Sequence, residues 1–326
     1  MQLDRVLFLL AVSCYVVGAL ALLTYLFSRQ DWLRTLGIPL ALAGCLAQFV
    51  ELGVRWQISH VWPLTNLYGS LSLFSAMSVL IFAIFAFRYE LWFVGGVVLA
   101  IAAIGMSYGS TWNEGYMPAV PALQSYWIKI HVPLVVSAYA SFCVAFALSA
   151  LYLMKAAFES QLGRTPPQAM QPAGATAGGS IPVGASASMS GRRSIIDTAT
   201  RDTPNVAAAA AVGNPAALWL QSLPSLAQLD VLQYRVIAVG LPLLTLGVIT
   251  GAWWAKEAWG AYWQWDPKET AALFSWIVYA SYMHLHTRNA WRGVRTSWVS
   301  VFGFLSIIFC YLGVNIWISG LHSYKM

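Results

Sequence analysis

Runs of apolar residues recur along this chain, and they constrain its fold more than any other feature. A transmembrane helix needs about 20 mostly apolar residues. On that criterion we expect eight spans, at approximately 6–27, 36–53, 68–87, 91–107, 132–154, 234–252, 270–287 and 298–318. Hydrophobic residues make up 59% of the chain and charged residues 9%, which excludes a soluble protein. We therefore predict an all-α, polytopic membrane protein.

The charges between the spans predict how the helices are oriented, because Lys and Arg accumulate on the cytoplasmic side. With an external N-terminus, twelve Lys and Arg residues fall inside and six outside. Both termini and segment 253–269 are then external. The net charge of +6 is scattered between apolar runs, so it indicates topology and argues against a nucleic-acid partner. The first apolar run is longer than a signal-peptide core, and we interpret it as a retained span.

Composition divides the chain into three parts. Residues 1–155 hold the first five spans, and residues 234–326 hold the last three. Between them, 156–233 includes a stretch rich in Ala, Gly, Pro and Ser, from 160 to 228. Such a segment cannot bury enough apolar surface to offset its chain entropy. We predict a largely disordered cytoplasmic insert.

The cysteines do not suggest redox or metal chemistry. They occur singly inside apolar segments, at Cys14, Cys45, Cys143 and Cys310. We interpret them as packing residues. The sequence has no CxxCH motif, so the chain is not itself a c-type cytochrome.

One segment between the sixth and seventh spans is unusually aromatic. It includes "WGAYWQWDPKE" at Trp259–Glu269 and extends back to Trp253. An interfacial aromatic belt is one interpretation. A belt needs no extended, charged linker, however, so we favour a platform for a flat ligand. The platform residues would be Trp253, Trp254, Trp259, Tyr262, Trp263 and Trp265.

The far end of this segment has the signature of a helix start. Asp266 can cap the helix, Pro267 suits its first position, and Glu269 stands where a capping box requires it. The aromatic residues should therefore lie above a fixed helix start.

Two histidines are expected at the depth of the aromatic segment. His131 begins the fifth span from the outside, and His322 follows the eighth span. Each alone could be an ordinary interfacial polar residue. Beside an aromatic platform, two neutral imidazoles are better explained as axial ligands of haem iron.

His284 is expected deep in the seventh span, where an ionisable residue suggests a functional site. His286 should point in nearly the opposite direction, because two residues turn a helix by about 200°. We expect His284 to face the bundle interior and His286 to reach the inner interface beside Arg288. His60, in an outer loop, is the weakest ligand candidate.

These residues resemble a known family. "WAKEAWGAYWQWDPKETAALFSWIVYASYMH", at Trp254–His284, resembles the WWD motif of haem-handling membrane proteins, and in detail the CcsA/ResC family of system II cytochrome c maturation. "WPLTNLYGSL" at Trp62–Leu71 and "NIWISGLHSY" at Asn315–Tyr324 are similar to the family as well. Gly69 departs from the family pattern, which usually has an acidic residue there.

The resemblance implies a holocytochrome c synthase that acts with a CcsB/ResB-like partner. Haem b would be its transported substrate, moved outward and presented for thioether attachment to the CxxCH segment of apocytochrome c. His131 and His322 would be the external iron ligands and His284 the intramembrane one, with a second intramembrane histidine from the partner. Asp266 would border the haem, and Lys256 or Lys268 would favour its propionates.

The same resemblance implies a bacterial inner membrane in preference to a thylakoid membrane, and a thiol-reducing protein as a further candidate partner. Two alternatives stay open: a haem transporter or chaperone without ligation activity, and a quinone-type cofactor-binding subunit. Since ligation needs neutral imidazoles, we expect haem loss on acidification through about pH 6 to 5.

Overall fold

The structure is a computed structural model, and it describes residues 3–113, 115, 121–161 and 223–318. All regular elements in these ranges are helical, which confirms the all-α prediction. The long helices are α1 Leu3–Ser28, α2 Asp31–Ser59, α3 Leu67–Tyr89, α4 Gly95–Ser110, α5 Ile128–Gln161, α6 Leu226–Trp259, α7 Pro267–His286 and α8 Val294–Trp317.

Seven of the described helices are long and apolar enough to cross a membrane, α4 together with the short turn before it. The exception is α7, which has 20 residues but is too polar for the criterion. Two of its polar side chains have partners on neighbouring helices. Trp276 Nε1 donates to Thr245 Oγ1 at 2.9 Å, and Ser275 and Ser306 hydroxyls lie 2.9 Å apart. The seventh predicted span therefore exists as a helix that packs against α6 and α8.

Side-chain contacts at the helix ends define one face of the bundle. Arg55, near the end of α2, lies 3.5 Å from Asp4 at the start of α1. Lys268, at the start of α7, donates to Asn315 near the end of α8 at 2.8 Å. We call this side, where α6 ends and α7 begins, the tryptophan face, and the other side the opposite face.

Helix α5 lies at the centre of the bundle and packs along α6 through a glycine seam. A Cβ on Gly247 would lie 2.6 Å from Val135 Cγ2, and one on Gly251 only 2.7 Å from His131 Cε1. Small residues let membrane helices approach this closely. The seam brings the first turns of α5 directly against the backbone of α6.

The boundaries of the predicted insert need correction. Helix α5 continues to Gln161 and α6 begins at Leu226, so both helices extend into the range 156–233. A capping box formed by Ser225 and Gln228 fixes the start of α6. The rest of the predicted insert, residues 162–222, lies outside the described residues.

Helix α8 is interrupted by a π-helical turn. Residues Val294–Ile308 are α-helical, Phe309–Gly313 form the π-turn, and Val314–Trp317 complete the helix. Such turns are often found at functional sites. This one lies where α8 meets the start of α7, since Cys310 Sγ lies 3.7 Å from the carbonyl oxygen of Lys268.

Candidate functional site

Part of the aromatic segment is helical, contrary to the prediction of a loop over 253–269. Helix α6 continues to Trp259, so Trp253 and Trp254 lie on its last turns. Residues 253–259 contain neither Pro nor Gly, and Gly260 then ends α6 with a left-handed conformation at φ +81°. Only residues 260–266 connect α6 to α7.

The predicted capping box at the start of α7 is confirmed. The Asp266 carboxylate accepts from the backbone N–H of Lys268 at 2.9 Å, and Pro267 is the first helical residue. Glu269 Oε2 accepts from the backbone N–H groups of Asp266 and Gln264, at 3.2 and 2.8 Å. Glu269 therefore holds the end of the aromatic connection onto α7, while the Asp266 side chain is buried as a cap.

Three aromatic rings of the segment are available to a ligand. Trp253 is 44% exposed, Tyr262 55% and Trp265 69%. Trp263 is partly buried and packs edge-on against Trp265, with ring centroids 5.7 Å apart. Trp265 has φ +57°, an unusual backbone conformation for a bulky residue.

Trp254 is buried and has a supporting role. Its Nε1 donates to the carbonyl of Ala122 at 2.7 Å, and its ring packs edge-on against Trp259 at 4.7 Å. The same ring stacks on the His131 imidazole, with a 14° angle between planes and 6.1 Å between centroids. Trp254 thus fixes the position of His131 and does not form an exposed platform.

The His131 imidazole is held by the backbone of α6. Its Nδ1 lies 2.7 Å from the carbonyl oxygen of Gly247. A carbonyl can only accept, so Nδ1 carries the proton and the free lone pair lies on Nε2. This is the arrangement by which proteins orient a metal-binding histidine.

Lys268 provides a cation beside His131. Its ammonium is partly buried, donates to Asn315 Oδ1 at 2.8 Å, and interacts electrostatically with the His131 imidazole. Asn315 Nδ2 in turn donates to the carbonyl of Tyr311, in the π-turn, at 2.8 Å. That second bond orients the amide so that its oxygen faces the lysine.

Lys256 occupies a different environment. It is exposed, donates to the carbonyl of Gly260 at 2.8 Å, and lies 5.7 Å from the centroid of the Tyr262 ring. It stabilises the end of α6 as well as offering a positive charge to solvent. The second external histidine, His322, lies outside the described residues.

The two histidines of α7 do point in opposite directions, but the expected facing is wrong. His284 is exposed, about 26 Å along α7 from Pro267. His286 is the buried one: its Nε2 donates to Asp230 Oδ2 at 2.9 Å, and its ring stacks on Tyr234 at 4.6 Å. Asp230, on the first turns of α6, therefore decides which face of α7 is interior.

Sequence reasoning missed the residues that position the candidate ligands. Gly247 and Gly251 form a GxxxG pattern that could have indicated a close helix approach. Asn315 lies in a stretch already noted for its family resemblance, but no sequence pattern predicted the π-turn that brings it to Lys268.

The chain is similar to known cytochrome c assembly proteins. Residues 64–322 match the family model described as cytochrome C assembly protein. The cytochrome c biogenesis protein CcsA of Gloeothece citriformis is 35% identical over 335 residues, covering 99% of this chain and 96% of that protein. CcsA of Guillardia theta is 33% identical, covering 89% of this chain and 85% of that protein.

A solved structure has the same fold. The chain resembles a cytochrome c haem lyase CcmF with a TM-score of 0.59 and 14% identity, over 95% of this chain and 46% of the CcmF chain. This chain therefore spans about half the length of that protein, and the likeness concerns the fold alone. By the extent of its match to the family model and to full-length relatives, the chain belongs to the CcsA family of cytochrome c assembly proteins.

Proposed function

We propose that this chain is the haem-presenting subunit of a membrane cytochrome c synthase. It would hold haem b as substrate at the tryptophan face and present it to the CxxCH segment of apocytochrome c. Its relatives are named as cytochrome c biogenesis proteins, which supports a role of this kind. As in the sequence prediction, the active complex would include a CcsB/ResB-like partner.

The observation that carries the proposal is the geometry of His131. The carbonyl of Gly247 occupies Nδ1, the Trp254 ring supports one side of the imidazole, and the lone pair is left on Nε2. A histidine that served only packing would not need a hydrogen bond that fixes the proton on Nδ1 and leaves Nε2 free to bind a metal. The arrangement fits an axial ligand of haem iron.

The charges near His131 support the choice of Lys268 as the propionate partner. Its ammonium is partly desolvated and oriented by Asn315, so an anion there would interact more strongly than at the exposed Lys256. Lys256 already bonds Gly260. We propose Lys268 for a propionate and Lys256 for the local structure of the aromatic segment.

The exposed rings suit the flat faces of a porphyrin. Trp253, Tyr262 and Trp265 offer apolar surface of the kind on which aromatic rings stack. Haem supplies the vinyl groups to which each substrate thiol adds, sulfur to one carbon and hydrogen to the other. The residues of this chain orient the haem and leave the substrate's cysteines to act as nucleophiles.

His284 suits a second haem site only if another molecule covers it. An exposed imidazole on a membrane helix is unfavourable against lipid. A partner helix that supplies a second histidine would resolve this. On this proposal the tryptophan face is periplasmic, the opposite face is cytoplasmic, and the membrane is the bacterial inner membrane.

The test is the absorption spectrum of the purified complex with its CcsB-like partner. We expect a low-spin haem spectrum that is lost or becomes high-spin in His131→Ala and His322→Ala, and is partly restored by added imidazole. His284→Ala should reduce the amount of haem that reaches the tryptophan face. His60→Ala is the matched control and should leave the spectrum unchanged.

Adding a CxxCH peptide separates synthase from transporter. Thioether-linked haem on the peptide supports the synthase; haem binding without linkage in the presence of partner and reductant supports a transporter or chaperone. Absence of haem from the wild-type complex, or a low-spin spectrum that persists in His131→Ala, would overturn the proposed ligation. Either result would favour the alternative of a quinone-type cofactor.

A further inference from the structure

A second polar site lies inside the membrane at the junction of α1, α2 and α3. It is formed by Tyr15 of α1, Gln48 and Glu51 of α2, and Tyr68 of α3. Gln48 and Glu51 are both 0% exposed. A carboxyl and an amide at this depth are costly unless their polar atoms are satisfied, so such groups suggest a functional site.

Each of these two side chains has one polar atom bonded and one left over. The Tyr15 hydroxyl donates to Gln48 Oε1 at 2.7 Å, and the Tyr68 hydroxyl donates to Glu51 Oε1 at 2.9 Å. Gln48 Nε2 and Glu51 Oε2 are buried without a hydrogen-bond partner anywhere in the part of the chain that the structure describes. Because the residues are three apart on α2, these atoms belong to the same helix face.

The surroundings favour the protonated form of Glu51. The nearest basic group is Arg55, whose Nε lies 3.8 Å from Glu51 Oε1, beyond hydrogen-bonding distance. The Arg55 guanidinium lies nearer to Asp4 of α1, at 3.5 Å, and rests over the Tyr68 ring at 4.4 Å. An ionised Glu51 would have one hydrogen bond, from Tyr68, and a guanidinium that it shares with Asp4, so the cost of burying its charge is only partly offset.

A protonated Glu51 and Gln48 together need a hydrogen-bond acceptor between them. The carboxyl O–H and the amide N–H are both donors, and a water oxygen can accept both. Ser72, one turn along α3 from Tyr68, has a buried hydroxyl on the same helix face as Tyr68 and can accept from that water. Buried waters typically make about three hydrogen bonds of this kind.

We propose that Glu51, Gln48 and Ser72 bind an ordered water at a proton-exchange site within the membrane. The site lies toward the tryptophan-face end of α2, next to the buried Asp4 and Arg55. Glu51 is about 12 Å along α2 from the end of that helix, so a proton can reach it without crossing the membrane. This site is distinct from the candidate haem site, because its residues come from α2 and α3, whereas His131 and Lys268 belong to α5 and α7.

The test is infrared spectroscopy of the full-length protein in lipid nanodiscs, with D₂O as the probe. We expect a carbonyl stretch of a protonated carboxyl at neutral pH, which shifts to lower frequency after transfer to D₂O. Glu51→Gln should abolish this band. Asp230→Asn, which changes a buried carboxyl at the opposite face, should leave it in place.

Gln48→Leu tests the water itself. Loss of one hydrogen bond to the bridging water should slow the deuterium shift about tenfold, corresponding to about 1.4 kcal/mol. A wild-type band that never shifts in D₂O, a band retained in Glu51→Gln, or an unchanged exchange rate in Gln48→Leu would each overturn the proposal. The wild-type D₂O shift needs no variant, so the test does not depend on whether a substituted chain folds.

Discussion

The position of a single imidazole depends on a residue without a side chain. Gly251 faces His131, and a Cβ at this position would lie 2.7 Å from both Cε1 and Nδ1 of the ring. A Cβ atom essentially never lies this close to another heavy atom, so the ring would have to move. The Nδ1 bond to Gly247 and the stacking on Trp254 would be disturbed together.

Gly251→Ala should therefore weaken haem binding although alanine is the better helix former. Alanine gains about 1 kcal/mol in a helix, whereas overpacking costs about 1–3 kcal/mol. We expect haem affinity to fall about tenfold or more, measured by titration of the purified complex. Gly53→Ala is the matched control, since nothing lies within 4 Å of its Cβ position. Equal affinities in the two variants would show that the ring is not confined by Gly251.

Gly69 lies where the backbone leaves no room for a side chain. A Cβ there would overlap the carbonyl oxygen of Pro63. The turn that precedes α3 is closed by Asn66, which accepts from the Gly69 backbone N–H at 2.8 Å. The sequence revealed the departure from the pattern, but not its steric cause, because the cause is a backbone contact across the turn.

At the scale of a helix, the start of α7 links stability to the candidate site. The capping box that Glu269 completes also holds Gln264 and fixes the helix turn that carries Lys268. A similar box formed by Ser225 and Gln228 begins α6 at the opposite face. Substitutions at the two caps should destabilise their helices equally, but only the cap of α7 lies near the candidate site. Comparing them separates an effect on the site from an effect on stability.

Glu269→Ala and Ser225→Ala should each lower the free energy of unfolding by about 1 kcal/mol. Only Glu269→Ala should also weaken haem binding, because it releases the connection that carries the exposed rings. Thermal unfolding and haem titration of both variants measure the two effects. Haem loss in both variants to the same degree would indicate a general effect of stability instead.

The sequence could not predict which face of α7 packs against the bundle interior. The length of the apolar run at 270–287 correctly predicted a helix. The period of an α-helix correctly predicted that the His284 and His286 side chains point in different directions. Which of them is interior depends on Asp230, a residue 56 positions before His286 that pairs with it. No local pattern contains that information.

Substituting the two histidines should separate their roles. His286→Ala leaves Asp230 without its imidazole partner in a buried position, and should lower the free energy of unfolding by on the order of 3 kcal/mol. His284→Ala removes an exposed side chain and should change stability little. Chemical denaturation of each variant tests this; a large effect of His284→Ala in the isolated chain would contradict its exposure.

At the scale of the whole molecule, the two halves of the chain join through interior contacts. Phe142 of α5 stacks on Tyr279 of α7, with ring centroids 3.6 Å apart, and Ser149 donates to Ser300 of α8 at 2.8 Å. The number of long helices was predictable because each contains its own apolar run. Their lengths were not, since α2, α5 and α6 continue beyond the predicted spans through less apolar residues. The glycine seam and these cross-helix pairs were not, since they depend on residues far apart in sequence.

These contacts imply that the segment between the halves is dispensable for the candidate site. At the opposite face, Lys155 Nζ donates to the carbonyls of Leu223 and Pro224, at 3.1 and 2.7 Å, so α5 and the start of α6 are already adjacent there. Deletion of residues 170–215 would leave 162–169 and 216–222 as the connection. That length can span up to about 50 Å when extended.

The deletion should leave the haem spectrum unchanged and should alter the free energy of unfolding by no more than about 1.5 kcal/mol, because closure entropy varies slowly with loop length. The measurements are the absorption spectrum and thermal unfolding of the purified complex. Lys155→Ala in the full-length chain is the comparison, and it should destabilise more than the deletion because it breaks the contact between α5 and the chain entering α6. If the shortened chain inserts normally but binds no haem, residues 170–215 contribute to the site directly, and the bundle alone does not define it.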